Sequence, residues 1–516
     1  MNRNILFIFV LLLISSCASV NRADQNRLHK MIEMHDYKGA IDYTQNDSFL
    51  SDPKNELLRS LEQSRVQFLN KNYYQALLGF DKSKEIASNL FTVSVSKKVA
   101  TTFSNDNADN FYGDNYEISL IRFYQALCHF QLFLNGKYES YKTIIDKKEI
   151  VVPEKVLNPE EVRFHLQAAK SVLLEWDSYL TSLKSTTGGV VTFKDDLLAK
   201  LLGAFIHEHT GDNHDIQIAR DLYKASKILI FRNYNIYKSL NKKFLDFRKE
   251  FSNFSKMDED LVSKKYVDKT ENYNDLISFI DDRLNALKNK NDENCLLVIE
   301  EGLIQEKIAK VYDIPLSNGG IGLYGAVGGD SNFLRFSIRI LGFSGNTIPR
   351  IYYELPELPL KEMSSNYELK VVSMDGKFQK KIKVINVAPL NEIANQSLDE
   401  KISSISTKTG VRVAGKHLSA LLASYTLYNS QKEKLGDLFA MGAAILSYQA
   451  ANRAIQLSES ADLRSWQTLP DSIRFGRIKL PVGIYKIILE QGEKEIELST
   501  FQINTETRPQ LIHLIR

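Results

Sequence analysis

Across residues 21–289 apolar side chains recur at three- and four-residue spacing with few strand signals, which commits the first half of this 516-residue chain to packed helices. One sub-pattern repeats within it: an aromatic or aliphatic residue, a small one three later, a bulky one four after that, then another small one. Tyr73, Ala76, Phe80 and Ser83 carry it in YYQALLGFDKS, and Ile216, Ala219, Tyr223 and Ser226 carry it in IQIARDLYKAS. Tyr37 and Ala40 begin it in YKGAIDY. Tyr138 begins it in GKYESYKTI, where Tyr141 replaces the small residue. Small side chains at such positions let paired helices approach closely, so the expectation is a stack of helical hairpins.

This sub-pattern resembles the second helix of tetratricopeptide repeats, and the resemblance implies a concave surface suited to an extended peptide or a helix. The Trp-Leu-Gly half of that motif is missing, the spacing is irregular and no proline closes the units, so helical packing without a peptide groove stays open. Residues 105–115 interrupt the helices with polar side chains. A calcium loop would need glycine at the sixth position and Glu at the twelfth, which is Tyr116, so a solvated loop is expected.

The stretch KNKNDEN ends the helical pattern, and the apolar run 295–300 opens a mixed α/β module. Strands are expected at 333–341, 350–354 and 367–372, then a turn at Asp375-Gly376 and a returning strand at 380–386. Pro349, Pro356 and Pro359 bracket the second strand, which should be short and at a sheet edge because proline cannot donate to a ladder. Residues 390–457 turn helical and rich in small side chains, which permits close packing within the domain or between copies. Membrane insertion of 438–451 is the alternative, but that run is fourteen residues long and includes Ser447, Tyr448 and Gln449. Strands near 471–480, 484–490 and 495–504, with Pro481-Val482-Gly483 as a turn, close the chain. The expected class is therefore α+β. A helical-hairpin domain over 17–290 precedes a β-rich part at 291–389, small-residue helices at 390–460 and closing strands at 461–516.

Residues 1–17 combine Arg3, an apolar run over 5–14, and Ile14-Ser15-Ser16-Cys17. A run of that length is too short to cross a bilayer as a helix. It resembles a bacterial lipoprotein signal with its lipobox, which implies removal of residues 1–16 and acylation of Cys17. Ala18 stands where lipoproteins retained in the inner membrane usually carry Asp, so the implied address is the outer membrane, on its periplasmic face. An ordinary secretory signal with an incidental cysteine is the alternative.

Removing Arg3 leaves Lys+Arg at 65 against 63 acids, a balance that gives no support to nucleic-acid binding. Beyond Cys17 only Cys128 and Cys295 remain, and both lie in apolar surroundings that favour buried free thiols. Gly320, Gly322 and Gly325 satisfy G-x-G-x-x-G, yet no helix pattern follows to receive a pyrophosphate, and a glycine loop over 317–331 is the working reading. His207, His209 and His214 cluster with Asp212, but His-x-His on a helix turns the two rings about 200° apart. Glu300-Glu301 is an adjacent acid pair of a kind too common among 63 acids to signal catalysis. No P-loop, G-x-S-x-G or H-E-x-x-H pattern occurs, and no cofactor is called for.

The stretches FYGDNYEISLIRFYQAL, VIEEGLIQEKIAKVYDIPL and ADLRSWQTLPDSIRFGRIKLPVGIYKI resemble, in this order, an uncharacterised family of bacterial lipoproteins containing tetratricopeptide repeats. That resemblance implies an envelope lipoprotein with a helical front and a β-containing rear, and it transfers no catalytic residue. Arg464-Ser465-Trp466 is its most specific piece. Trp466 is expected to plug the core between the last helix and the final strands, with Arg464 over its face or paired with an acid; a partner-binding hot spot is the alternative. The leading functional expectation is a non-enzymatic scaffold or assembly protein that docks envelope proteins on its helices, with self-association open. A regulator of peptidoglycan synthesis and an envelope hydrolase are the other readings. Labelled palmitate should enter the purified protein and be lost in Cys17→Ser; equal labelling and distribution of the two would overturn the anchor.

Overall fold

The computed structural model describes residues 17–97, 109–145, 148–186, 196–209, 213–234, 271–289, 294–315, 331–342, 350–359, 361, 363–491, 494–504 and 509–516. Among the described residues, nine helices form the front: α1 (Cys17–Glu33), α2 (Tyr37–Thr44), α3 (Glu56–Leu69), α4 (Tyr73–Lys97), α5 (Asn115–Asn135), α6 (Pro159–Thr186), α7 (Leu197–Glu208), α8 (Asn213–Tyr234) and α9 (Glu271–Asn289). Consecutive members pack on one another, α3 on α4, α4 on α5, α5 on α6, α7 on α8 and α8 on α9. Local chemistry sets their ends. Asp114 and Glu117 form a capping box at the start of α5, and Gly136, at φ 63°, ends it in the left-handed conformation.

Gly136 also corrects one expectation. Tyr138 does not start a helix; it lies in β1 (Lys137–Tyr138), paired with β4 (Lys155–Val156), while β2 (Tyr141–Ile145) pairs with β3 (Lys148–Val152). The β-branched residues of KTII and EIVV favour the pleated conformation once the helix has been stopped.

The rear is mixed α/β. Its strands are β5 (Cys295–Glu301), β6 (Ile308–Pro315), β7 (Arg350–Glu357), β8 (Tyr367–Ser373), β9 (Gln379–Pro389), β10 (Ser472–Ile478), β11 (Gly483–Gln491), β12 (Lys494–Ile503) and β13 (Gln510–Ile515). Seven of them make a nearly closed sheet in the order β12-β11-β8-β9-β10-β5-β13, antiparallel except for the last pair. Alternation sorts the two faces. Cys295, Leu297, Ile299, Val371, Val384 and Ile487 fill the inside, while Leu296, Val298, Phe475 and Leu511 face the helices. Every residue of β10 is buried, as a strand covered on both faces must be. Cys128 and Cys295 are both buried free thiols, and burial pushes Cys295 up to about 12.

Residues 333–341 form a helix rather than the expected strand: α10 (Ser331–Gly342). The alternating apolar pattern there also reads at helical spacing. Phe333, Phe336, Ile340 and Leu341 share a face that packs on Tyr425 and Tyr428. The strand at 350–354 is longer than expected, running through Pro356 as β7. Among the described residues it pairs only with β6, so the proline has no second described ladder to serve. Its partner β6 has no counterpart among the strands expected from the sequence. The small-residue region is a hairpin of α11 (Leu390–Leu435) and α12 (Asp437–Ser458) turning at Gly436, φ 79°. At 46 residues α11 is about 69 Å long, beginning in the core shared with the front and ending far from it. No helix among the described residues is long and apolar enough to cross a membrane.

Trp466 is wholly buried, but not between the last helix and the final strands. The segment between α12 and β10 crosses to the front, where the indole packs on Phe80 and Tyr124. Front helices and the outer sheet face therefore share one hydrophobic core. Trp466→Ala should cost about 3–5 kcal/mol in denaturant unfolding, with helix and sheet signals lost in one transition. A cost below about 1 kcal/mol, or two separate transitions, would show that the indole does not join the halves.

Candidate functional site

Two buried carboxylates receive the crossing segment. Glu62 on α3 accepts from Gln467 N (2.9 Å) and Thr468 Oγ1 (2.5 Å). Glu117 on α5 accepts from Trp466 N (2.7 Å) and, through its other oxygen, Asp114 N (2.6 Å). Burial pushes both carboxyls up to about 7. Burial also opposes ionisation of Asp114, but the ammonium groups of Lys307 and Lys401 outweigh it and hold that carboxyl well below the usual range. Arg464 chelates Asp462 (2.7 Å) and reaches Asn55 Oδ1 (3.2 Å) and the Asp109 carbonyl (3.1 Å).

Further along the same interface, Glu300 on β5 pairs with Arg65 on α3 and lies 3.3 Å from His513 on β13. Arg65 also stacks over Tyr124. Glu208 at the end of α7 takes Arg283 from α9 and Arg477 from β10 (2.9 Å). Burial disfavours the charge of both glutamates, yet their guanidinium partners hold both carboxyls below the ordinary value.

On the outside of the front, α4, α5, α6 and the residues before α5 enclose a groove of about 660 Å³. Phe91, Ile118, Tyr179 and Leu183 supply its apolar walls. Its polar wall is a chain of charges: Lys84 Nζ lies 2.8 Å and Arg122 Nη2 3.0 Å from opposite oxygens of Glu175. Arg122 lies over the Tyr179 ring at 4.4 Å, and burial pulls its pKa down despite Glu175. Its Nε is buried with no hydrogen-bond partner among the described residues. Asp81 accepts from Gln125 Nε2 (2.5 Å), and burial raises its carboxyl. The chemistry on offer is recognition of a chain that brings an apolar side chain and a polar neighbour together.

The residues singled out from the sequence are elsewhere. Tyr73, Ala76, Phe80, Ala219 and Tyr223 are core residues at helix crossings, and Tyr223 Oη donates to Glu208 (2.9 Å). Trp176 is also buried, its Nε1 donating to Ser119 Oγ (2.6 Å). None of these residues lines the groove. Its charged wall had one readable signal, Arg122 standing alone in the apolar run ISLIRFYQALCHF. His207 bonds Asp215 (2.7 Å), while His209 meets Arg477 (3.1 Å), so those two rings serve different partners. No group of three metal-ligating side chains occurs among the described residues. Residues 1–16, Asp212, Gly320, Gly322 and Gly325 lie outside the described residues, as do 105–108 of the polar interruption. Its described part, 109–115, departs from the expected solvated loop, because Phe111 and Asp114 are buried. Comparison with known proteins finds no matching protein-family model, no matching curated protein and no matching solved structure.

A carboxyl that ionises less readily in the folded chain binds more protons there than in the unfolded one. Its stabilisation is complete below the ordinary value of 4.5 and is lost as pH rises through about 7. Buried His129 and His417, both pulled down to about 4, act in the opposite sense across much of the same window. The carboxylate contribution is therefore read as a difference between two proteins. Between pH 5 and pH 8, wild type should lose ~2 kcal/mol relative to Glu62→Gln in denaturant unfolding. Parallel pH profiles would contradict it.

Proposed function

We propose that this chain is a lipid-anchored scaffold or assembly protein on the periplasmic face of the bacterial outer membrane, docking a peptide segment of an envelope protein in the α4–α5–α6 groove. The groove carries the docking half of this reading. Its exposed Phe91, with Ile118, Tyr179 and Leu183, offers a seat for an apolar anchor. Arg122, with one buried donor unpartnered among the described residues, and the Lys84–Glu175 pair offer polar contacts beside that seat. Helix faces commonly recognise peptides by such a combination of apolar anchor and polar rim.

The tetratricopeptide-like sub-pattern supports the same reading from the packing side. Its small residues Ala76 and Ala219 are wholly buried where helices meet, which leaves the groove wall to residues outside the pattern. The anchoring half rests on residues 1–17. Helix α1 begins at Cys17 itself, so acyl chains on that thiol would tether the helical front without an intervening linker.

A photo-crosslinking residue at Phe91, in the full chain in intact cells, should capture one defined envelope protein. Lys84→Glu should reduce the yield about tenfold, and the same probe at Phe164, exposed on α6 away from the groove, should not capture that protein. Equal capture from both positions, or none from Phe91, would overturn the docking reading.

A further inference from the structure

We infer that the chain pairs with a second copy of itself through the open side of the α11–α12 hairpin, the two hairpins lying antiparallel about a two-fold axis. Residues 417–431 and 438–452 contain no Asp, Glu, Lys or Arg, fifteen residues in each helix. Helix α10 and strand β7 cover one side of this hairpin. On the positions left open, Leu422, Leu438, Phe439 and Leu446 are 41%, 80%, 73% and 68% exposed. Ser419 and Thr426, exposed among them, turn their hydroxyls back onto the carbonyls of Gly415 and Leu422 at 3.0 Å. The surface they show is therefore uncharged and already satisfied in its hydrogen bonds.

Three glycines inside these helices have no explanation among the described residues. A Cβ built on Gly410, Gly415 or Gly442 would meet none of them within 4 Å, and Gly415 and Gly442 lie on the open side, Gly415 in line with Leu422 and Gly442 with Leu446. Glycine in a helix interior costs about 1 kcal/mol relative to alanine, so something outside the chain is needed to use the space. A second helix crossing closely at those points uses it.

The size is also sufficient. Twenty residues of each helix make a face about 30 Å long and about 20 Å wide, roughly 600 Å² per copy, which reaches the lower bound for a specific dimer. Charges at the two ends favour the antiparallel arrangement. Glu433 is exposed at the tip and Arg453 towards the base, so a two-fold axis places each beside its opposite on the partner copy. A lipid surface fits less well, because a tip that entered first would carry Lys432, Glu433, Lys434 and Asp437 with it.

This inference does not depend on groove docking, and its test leaves the groove untouched. Light scattering on the full chain in detergent, corrected for bound detergent, should give twice the chain mass at 10 µM protein. Gly442→Leu and Leu446→Glu should each weaken pairing at least a hundredfold, giving the monomer mass. Compared at a concentration where both proteins are monomeric, the first should leave the melting temperature unchanged or raised, because no described residue occupies that space. A monomeric wild type up to 100 µM, or a dimer that both variants leave intact, would overturn the proposal. So would binding of wild type to anionic vesicles, lost in both variants, with no change in mass.

Discussion

The backbone of residues 466–468 hangs from two carboxylates that water does not reach, and the junction between helices and sheet depends on that suspension. Glu62 and Glu117 come from different front helices, α3 and α5, yet receive consecutive groups of one short segment. A buried backbone N–H without a partner is costly, and a buried carboxylate without donors costs more. Each group therefore needs the other. Trp466 can fill the space beside Phe80 and Tyr124 only with its amide held by Glu117, and Glu117 closes the cap of α5 with its second oxygen. Packing, capping and interface are one arrangement.

The ion pairs across the rest of the interface extend this logic. Arg65–Glu300 and Arg283–Glu208–Arg477 are nearly inaccessible to solvent, so their Coulomb attraction is largely offset by lost hydration. Their contribution lies in what misplacement would cost, since removing one partner leaves a charge stranded in the core. They fix which strand lies against which helix: β5 against α3, and β10 against α7 and α9. A sheet face held in this way is a rigid base for α11, whose first turns share the same core before the helix runs outward. The groove is lined by Lys84, Ile118 and Arg122, whereas the junction uses Phe80, Glu117 and Tyr124, so recognition and the helix–sheet junction use different residues of the same helices.

Much of the architecture was legible wherever a local period agreed with the final packing. The front helices follow their three- and four-residue spacing. The hairpin of β8 and β9 follows its Asp375-Gly376 turn, and Val371 and Val384 alternate as one covered face requires. Misreadings arose where two periods fit the same letters or where a single residue decided. Leu334, Phe336, Ile338 and Ile340 alternate in sequence while Phe333, Phe336 and Ile340 recur at helical spacing, and the helix prevailed because Tyr425 and Tyr428 offered a surface for one face. Gly136 diverted Tyr138 into a strand. Trp466 was recognisable as a core residue, but its neighbours Phe80 and Tyr124 lie hundreds of positions away, and no local pattern encodes that distance. The groove was nearly invisible for a related reason, Arg122 within its apolar run being the one local sign of it. Lys84, Arg122 and Glu175 come from three helices, and Lys84 and Glu175 look like ordinary surface charges until those helices meet.

Native-state hydrogen exchange tests the central claim, that the carboxylate-held segment joins front and rear into one cooperative unit. The account predicts that the amides of Trp466 and Gln467 exchange only through global unfolding, with the same free energy and denaturant dependence as amides in β5 and α5. Exchange of those two amides through a cheaper local opening, while β5 and α5 stay protected, would contradict it.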